Sequence, residues 1–417
     1  MSILASKFRA EASKLKDIKM KSESEFDVGY STGFLNFDFK LGVKVFVNNR
    51  RTNEQFSYYS VGITAGSLNM IIGRSGCGKT TWVLQAAANI IRPFKTSCIF
   101  EDNIEGGSTF VRKELLTGFQ GDELTERVIS RNKGITAENF YERVKMIHDI
   151  KMEDLETYQY NTGYFDTQGN PIYNLEPTVY ILDSLALLMP SKYTDEDELS
   201  GQMSATAAAK ANASIFKRLI PICKSANIIL MVINHINQKV ELNAFQATKA
   251  QVSYLKQGET LPAGNAPIYL SNTMIRFDDK SKLKSSEAFG IDGALVDLTL
   301  VKSRTNKANQ TATLVFNQET GFDDELSLFV MLKDAGKVKG AGAFLYFEGR
   351  DDIKFAQKNF KDKLRSNPEL QEVFSEAVVA HLTEEIDSQY DGMKKAEDYE
   401  DINISNNIMA KMNARIA

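Results

Sequence analysis

The chain has 417 residues, of which 43% are hydrophobic and 25% are charged, and its formal net charge is -4. This composition is that of an ordinary globular protein, and it excludes a largely disordered chain and a uniformly basic nucleic-acid coat. The three cysteines have no paired spacing and no apolar run reaches about 18 residues, so we expect no disulfide framework, no zinc site and no membrane span. We therefore expect a cytoplasmic protein.

The N-terminal residues predict a basic amphipathic helix. Its apolar residues recur at helical spacing, namely Leu4, Phe8, Leu15 and Ile18, and six of the residues from 7 to 21 are Lys or Arg. The apolar stripe must be buried either on its own domain or on a neighbouring subunit. We assign residues 1–30, which include a polar linker, to an oligomerisation segment.

Apolar runs rich in β-branched residues alternate with helical stretches in the middle of the chain. The predicted strands are 68–72, 97–100, 179–182, 228–233, 274–277, 295–301 and 312–316. Apolar strands joined by crossover helices predict a mixed, mainly parallel sheet, which the last three strands extend antiparallel at one edge. We assign residues 31–335 to this α/β core and expect the tyrosine-rich segment 151–178 to be a surface insertion.

The C-terminal part has a different character. A short strand at 344–347 and the helical patterns after it predict a small α/β domain over residues 336–382. From 383 to 401 eight acids stand against two lysines, so residues 383–417 are predicted to form an acidic, disordered tail.

A phosphate loop, or Walker A motif, follows the first core strand and precedes a helical pattern. The predicted nucleotide-binding residues are Gly73, Arg74, Ser75, Gly76, Cys77, Gly78, Lys79, Thr80 and Thr81. Glycines let backbone N–H groups converge on phosphate oxygens at the start of the helix. Lys79 is expected to reach the β- and γ-phosphates of ATP, and Thr80 to hold Mg²⁺. A glycine turn of purely structural role is the alternative.

Polar residues at the ends of three other strands are candidates for the chemistry. Asp183 ends the strand 179–182, where ligands bind in open parallel sheets, and we expect it to join Thr80 at Mg²⁺. The group that positions or activates water is predicted to be Glu105, with Asp102 and Glu101 as alternatives. His235 follows the strand 228–233 and is either a γ-phosphate sensor or a structural histidine.

The order of these pieces resembles the RecA/UvsX family of DNA strand-exchange recombinases over roughly residues 31–382. The matching segments are 31–38, 182–190, Asn234-His-Ile-Asn-Gln238, Gly264-Asn-Ala-Pro-Ile-Tyr269, Val301-Lys-Ser-Arg-Thr305, 341–349 and 367–369. The resemblance implies a RecA-like ATPase core and a helical filament on single-stranded DNA, with ATP at each subunit interface. It also places His235 as the γ-phosphate sensor, and it implies that Lys302 and Arg304 reach the ATP of the neighbouring subunit. Without the resemblance, these two cations would suit a solvated edge strand.

The resemblance further implies two DNA-binding loops, at 191–206 and 238–261. Their predicted contact residues are Gly201, Gln202, Met203, Lys239, Phe245, Lys249, Tyr254 and Lys256, followed by Gly264 and Asn265. Lysines suit the phosphates and aromatic rings suit base stacking, although plain surface loops would have the same spacing. Four departures from the family pattern are the one-residue shift of Glu105, the 151–178 insertion, the longer second loop, and Ala263 where the family often has glycine.

We therefore expect an ATP-dependent homologous recombination and DNA-repair protein, a DNA-dependent ATPase using ATP and Mg²⁺. The expected partners are single-stranded DNA, homologous double-stranded DNA and further copies of the chain, with a recombination mediator and a single-strand-binding protein as additional candidates. Similarity to phage members suggests a viral origin and hence the host cell cytoplasm. The alternatives are a hexameric replicative DNA helicase on the same core and a filament adaptor that binds ATP without turnover.

Overall fold

The computed structural model describes residues 28–48, 52–165, 171–193, 201–238, 254–287, 289–342, 344–390 and 400–401. Its α-helices are α1 (Leu35–Leu41), α2 (Lys79–Ile91), α3 (Phe110–Thr117), α4 (Asp122–Arg127), α5 (Ala137–Glu153), α6 (Leu155–Tyr158), α7 (Gly201–Ala226), α8 (Ala266–Leu270), α9 (Asp324–Asp334), α10 (Phe360–Ser366) and α11 (Pro368–Tyr390). Short 3-10 helices occupy Leu185–Leu187, Ser191–Tyr193 and Gln357–Asn359. Within these described ranges, no helix is both long enough and apolar enough to cross a membrane.

The strands alternate with these helices along the chain. They are β1 (Gly29–Tyr30), β2 (Val43–Asn48), β3 (Gln55–Ser60), β4 (Ile63–Thr64), β5 (Leu68–Gly73), β6 (Ile99–Asn103), β7 (Val128–Arg131), β8 (Gln159–Phe165), β9 (Pro171–Leu175), β10 (Thr178–Asp183), β11 (Ile228–His235), β12 (Asn237–Gln238), β13 (Glu259–Thr260), β14 (Thr273–Leu283), β15 (Gly293–Ser303), β16 (Gln310–Asn317), β17 (Gly321–Asp323), β18 (Val338–Lys339), β19 (Tyr346–Phe347) and β20 (Glu400–Asp401).

Nine strands form one mixed sheet in the order β17-β16-β15-β14-β5-β11-β10-β6-β7. In this order, the six strands β14, β5, β11, β10, β6 and β7 run parallel to one another, whereas β15, β16 and β17 each pair antiparallel with their neighbours. The predicted α/β class and mainly parallel sheet are confirmed. The prediction that the antiparallel strands begin with 274–277 is wrong, because β14 runs parallel to β5. Residues 236–272 return the chain to the end of the sheet at which β5 also begins.

Helices cover both faces of this sheet. On one face Trp82 of α2 is fully buried and packs against Phe34, Phe37 and Phe277. The other face is covered by α5 and α7, whose Phe140 and Phe216 lie within the same apolar cluster as strand residues of β5, β10 and β11. Because β5 and β10 are buried along their whole length, their residues read as continuous apolar runs rather than as an alternating pattern.

The C-terminal part packs on the core through one apolar cluster. Phe329 of α9 lies in this cluster with Phe347, Phe360 and Phe374, so the cluster spans the predicted boundary at 335. Helix α11 continues to Tyr390, past residue 382, where the sequence predicted a disordered tail. The short strand β20 pairs with β3, and the other tail residues lie outside the described part of the chain.

The predicted insertion 151–178 contains the end of α5, then α6 and the β8–β9 hairpin. Its tyrosines attach it to the core, since the ring of Tyr164 stacks on that of Tyr58 at 4.3 Å and the hydroxyl groups of Tyr160 and Tyr30 are 2.8 Å apart. Tyr58 belongs to the β2–β3 hairpin, which the sequence pattern did not predict. Residues 1–27 of the predicted N-terminal helix lie outside the described part.

Candidate nucleotide site at the carboxyl edge of the sheet

The phosphate loop lies between the end of β5 at Gly73 and the start of α2 at Lys79. Gly76 and Gly78 have φ angles of 82° and 85°, which disfavour residues with a Cβ atom. A Cβ atom on Gly78 would also lie 2.9 Å from the ring of Phe322. The turn therefore requires glycine at both positions, and packing requires it at Gly78 as well. The loop ends at a helix N-terminus that favours anions.

Lys79 is buried at this loop. Its ammonium donates hydrogen bonds to the carbonyl oxygens of Gly73 at 3.1 Å and Arg74 at 2.6 Å, and lies 3.5 Å from Nδ1 of His235. The cation is thus held among the backbone atoms of the loop itself. A triphosphate bound by the loop would lie within its reach.

Thr80 and Asp183 meet at the base of the loop. The hydroxyl of Thr80 donates a hydrogen bond of 2.6 Å to one carboxylate oxygen of Asp183, while the other oxygen has no hydrogen-bond partner among the described residues. Burial raises the pKa of Asp183 to about 6, although the bond from Thr80 opposes the rise. A hydroxyl and a buried carboxylate oxygen without a partner suit Mg²⁺, which is usually held by one or two side chains together with substrate phosphates.

Glu105 and His235 form the polar end of the site. Nε2 of His235 lies 2.6 Å from a carboxylate oxygen of Glu105, while the opposite ring nitrogen faces Lys79. Partial burial acts to raise the pKa of Glu105, but Ser184 and His235 beside the carboxyl lower it below its ordinary value. The side chain of Glu105 is 35% exposed, so water can reach an ionised carboxylate here.

The other two candidate acids are already occupied in buried networks. Asp102 forms an ion pair with Arg143 and accepts a hydrogen bond of 2.8 Å from Tyr180. Glu101 pairs with Lys113 at 2.5 Å and accepts from Ser130 at 2.6 Å. Their side chains are almost inaccessible to water. The geometry therefore singles out Glu105 among the three acids that the sequence left open.

Lys302 and Arg304 do not lie at this edge. Lys302 of β15 pairs with Met274 of β14, and Met274 pairs with Met70 near the start of β5. Lys302 and Arg304 therefore lie at the end of the sheet opposite the phosphate loop. The ammonium of Lys302 donates to the carbonyl oxygens of Ile268 and Tyr269, each at 2.8 Å, and Arg304 donates to Tyr269 at 2.9 Å. Burial and the adjacent Arg304 charge lower the pKa of Lys302 to about 8.

The residues predicted for the first DNA loop are not in a loop. Gly201, Gln202 and Met203 begin α7, because the helical pattern of this segment extends further towards the N-terminus than the sequence suggested. Residues 194–200 of the predicted loop lie outside the described part of the chain. Of the second loop, Lys239, Phe245 and Lys249 lie outside the described residues.

The described end of the second loop is anchored to the sheet. Tyr254 is half-buried, whereas Lys256 and Asn265 are exposed. Gly264 has a φ angle of 86°, and a Cβ atom there would lie 2.9 Å from the Cβ atom of Ala209. Close packing against α7 therefore accounts for glycine at this position. Ala263 has a φ angle of 70°, a conformation that glycine adopts more easily.

One residue that sequence reasoning missed is Arg276, which is 4% exposed in β14 and binds two carboxylates. The signal was present in the sequence, because a charged residue within an apolar strand must find a partner. The described residues contain no group of three or more His, Cys, Asp or Glu side chains that could hold a metal ion.

Comparison with known proteins assigns no family. No family model matches the chain, and no curated protein matches it. The function must therefore be inferred from the residues and their geometry.

Proposed function

We propose that the protein is a DNA strand-exchange recombinase of the RecA type, which polymerises on single-stranded DNA with ATP and pairs it with a homologous duplex. The observation that carries the proposal is the convergence of Lys79, Asp183, Glu105 and His235 at one sheet edge. These side chains come from different parts of the chain, and together they provide the groups that an ATPase requires.

Each side chain has a role that follows from its position. The loop amides and Lys79 bind the phosphates, and Thr80 with Asp183 would hold Mg²⁺. When bound, Mg²⁺ supplies positive charge that stabilises the phosphate oxygens. Glu105 is ionised and accessible to water, so it can orient a water molecule towards the γ-phosphate. His235 lies between Glu105 and Lys79, where it would sense whether that phosphate is present.

Space for the rest of a nucleotide lies beside the loop. A cavity of about 530 Å³ is lined by Gly76, Cys77, Lys280 and Phe316, among other residues. This volume is within the usual range for small-molecule sites, and the lining combines aromatic and cationic groups. It supports binding of a nucleotide rather than of inorganic phosphate alone.

The positions of Lys302 and Arg304 support an assembly of several copies. Both cations bind carbonyl oxygens at the edge opposite the phosphate loop, so they cannot act on the nucleotide of their own chain. A head-to-tail arrangement would bring them to the triphosphate of the next copy, and repeated without closure it produces a helical filament. This is the geometry that a recombinase filament requires.

The edge of the sheet that carries the phosphate loop also leads into the second DNA loop. His235 ends β11, and β12 begins two residues later, so the proposed sensor is continuous with the loop that would contact DNA. Lys256 is exposed near the end of the loop, where it could bind a phosphate group of DNA. ATP binding can therefore alter the affinity for DNA through a short covalent path.

A strand-exchange assay tests this function. Circular single strands and homologous linear duplex, incubated with the protein and Mg-ATP, are expected to give joint molecules, and heterologous duplex is expected to give none. Directional unwinding without pairing would instead support a helicase. Absence of phosphate release on addition of single-stranded DNA would support an adaptor without turnover.

A further inference from the structure

The turn that carries Glu105 is fixed at its start by backbone hydrogen bonds. Asn103 ends β6 and pairs in register with Asp183 at the end of β10. The backbone N–H groups of Ile104 and Glu105 both donate to the carbonyl oxygen of Asp183, at 2.6 and 3.3 Å. The first part of the turn is therefore attached to the strand that supplies the candidate Mg²⁺ ligand.

One side chain closes this turn. Asn103 is 4% exposed, and its Oδ1 atom accepts a hydrogen bond of 2.8 Å from the backbone N–H of Gly106. Asparagine closes turns in this way because its short side chain can return to the backbone of its own segment. Glu105 directly precedes Gly106, so the closed turn contains the residue that is proposed to orient water.

The residues that follow Glu105 have no side chains with which to support it. Gly106 has a φ angle of 70°. Beyond the adjacent residues, no atom of the described chain lies within 4 Å of where a Cβ atom would be on Gly106 or Gly107. The backbone conformation therefore explains glycine at position 106, and close packing does not. On this side of Glu105, the hydrogen bond to Asn103 takes the place of packing.

The same turn accommodates the unusual position of Glu105 in the sequence. Glu105 stands one residue away from the place that the RecA pattern predicts for its glutamate. In the structure Ile104 packs against the apolar cluster that contains Phe140 and Tyr180. The carboxylate of Glu105 nevertheless lies 2.6 Å from Nε2 of His235. The turn closed by Asn103 thus compensates for the shift.

We propose that Asn103 is a positioning residue for ATP hydrolysis, because it closes the turn that holds the Glu105 carboxylate at the phosphate loop. Catalytic groups must be held to within about 0.5 Å, and a displacement of about 1 Å can lower a rate by about a hundredfold. Asn103 acts only through Glu105. This inference rests on the proposed function, since it requires that the site hydrolyses ATP.

The test separates turnover from nucleotide binding. Asn103→Ala removes the acceptor of the hydrogen bond but leaves Lys79, Thr80 and Asp183 unchanged. We expect kcat for phosphate release stimulated by an oligothymidine to fall by about tenfold or more, while KM for ATP stays within about twofold of its original value. Affinity for an ATP analogue with a β,γ-imido bridge, measured by calorimetry, is expected to be unchanged.

Two further variants show whether Asn103 acts through Glu105. In a Glu105→Gln background, Asn103→Ala is expected to change the single-turnover rate by less than about twofold, because the group that Asn103 positions is already lost. Asn103→Ser keeps an oxygen that can accept from the N–H of Gly106, so it should recover part of the rate lost in Asn103→Ala.

Asn161→Ala is the matched control. Oδ1 of Asn161 accepts a hydrogen bond of 2.9 Å from the N–H of Gly163, whose φ angle is 77°. This second asparagine–glycine turn belongs to β8, outside the candidate site. Its loss is expected to leave kcat and KM unchanged.

The possible results are distinct. An unchanged kcat in Asn103→Ala, while Glu105→Gln is inactive, would overturn the role of Asn103 and leave the proposed function intact. Weaker binding of the imido analogue, or a further tenfold loss in the double variant, would overturn it too, because the effect would then be structural. Asn103→Ser as slow as Asn103→Ala would exclude the acceptor oxygen as the cause. If the unmodified protein releases no phosphate with single-stranded DNA, both the proposed function and this inference are wrong.

Discussion

Two variants that are each inactive should restore ATP hydrolysis when they are mixed. The reason is the position of Lys302, which is level with Met70 and two strands away from β5. Gly73 lies three residues further along β5, so the backbone of Lys302 is about 10 Å from the loop along the strands and about 10 Å across them. Its ammonium moreover points to Ile268 and Tyr269. In the proposed filament, Lys302 would therefore act on the nucleotide of another copy.

The perturbation combines Lys302→Met with Glu105→Gln. In a random one-to-one copolymer, about one site in four receives an intact phosphate-loop side from one copy and an intact Lys302 from the other. Hydrolysis stimulated by single-stranded DNA is thus expected to be low for each variant alone and to reach about a quarter of the original rate in the mixture. Steady-state phosphate release measures this directly.

A matched mixture serves as the control. Glu105→Gln and Asp183→Asn both alter the phosphate-loop side, so every site in their copolymer contains one defect and no rate should be regained. The reasoning is refuted if Lys302→Met alone hydrolyses ATP at the original rate. It is equally refuted if the first mixture regains nothing although both variants enter the same filaments.

Three other changes have defined outcomes. Lys79→Ala is expected to abolish filament growth that depends on ATP, and unchanged filaments in electron micrographs would contradict the assigned site. Burial lowers the pKa of Lys151 to about 7, well below its value in an unfolded chain. Between pH 7 and 10 the unfolded state therefore binds more protons than the folded state, and the free energy of unfolding should rise with pH. Compared with Lys151→Met, the slope should be steeper by up to about 1.4 kcal/mol per pH unit, which urea titrations at several pH values measure. Ala263→Gly should raise the free energy of unfolding by about 0.5 to 1 kcal/mol, because Ala263 has a positive φ angle. A lower free energy of unfolding for Ala263→Gly in urea titrations would contradict this.

The central strands and the phosphate loop were predictable because their signals are local. A strand buried on both faces must be apolar throughout, as β5 and β10 are, and a phosphate loop needs its glycines at fixed spacing. Asp183 was predictable for the same reason, since it directly follows an apolar strand. These elements required no knowledge of distant contacts.

Other features depend on contacts between distant residues. The parallel direction of β14 follows from where the crossover 236–272 ends, which no periodicity records. The choice of Glu105 over Asp102 depends on Arg143 and Tyr180, which engage Asp102 elsewhere. Gly201 begins a helix although it lies in the segment 191–206, which the sequence predicts to be a polar loop. Tertiary context determines each of these outcomes.

Electron microscopy tests the central claim most directly, which is that ATP between adjacent copies controls binding to single-stranded DNA. The purified protein is imaged with an oligothymidine of several hundred nucleotides, with and without the imido analogue of ATP and Mg²⁺. Open helical filaments that require both the nucleotide and the DNA are the predicted result. Closed rings, or monomers that bind the nucleotide but never assemble on DNA, would contradict the claim.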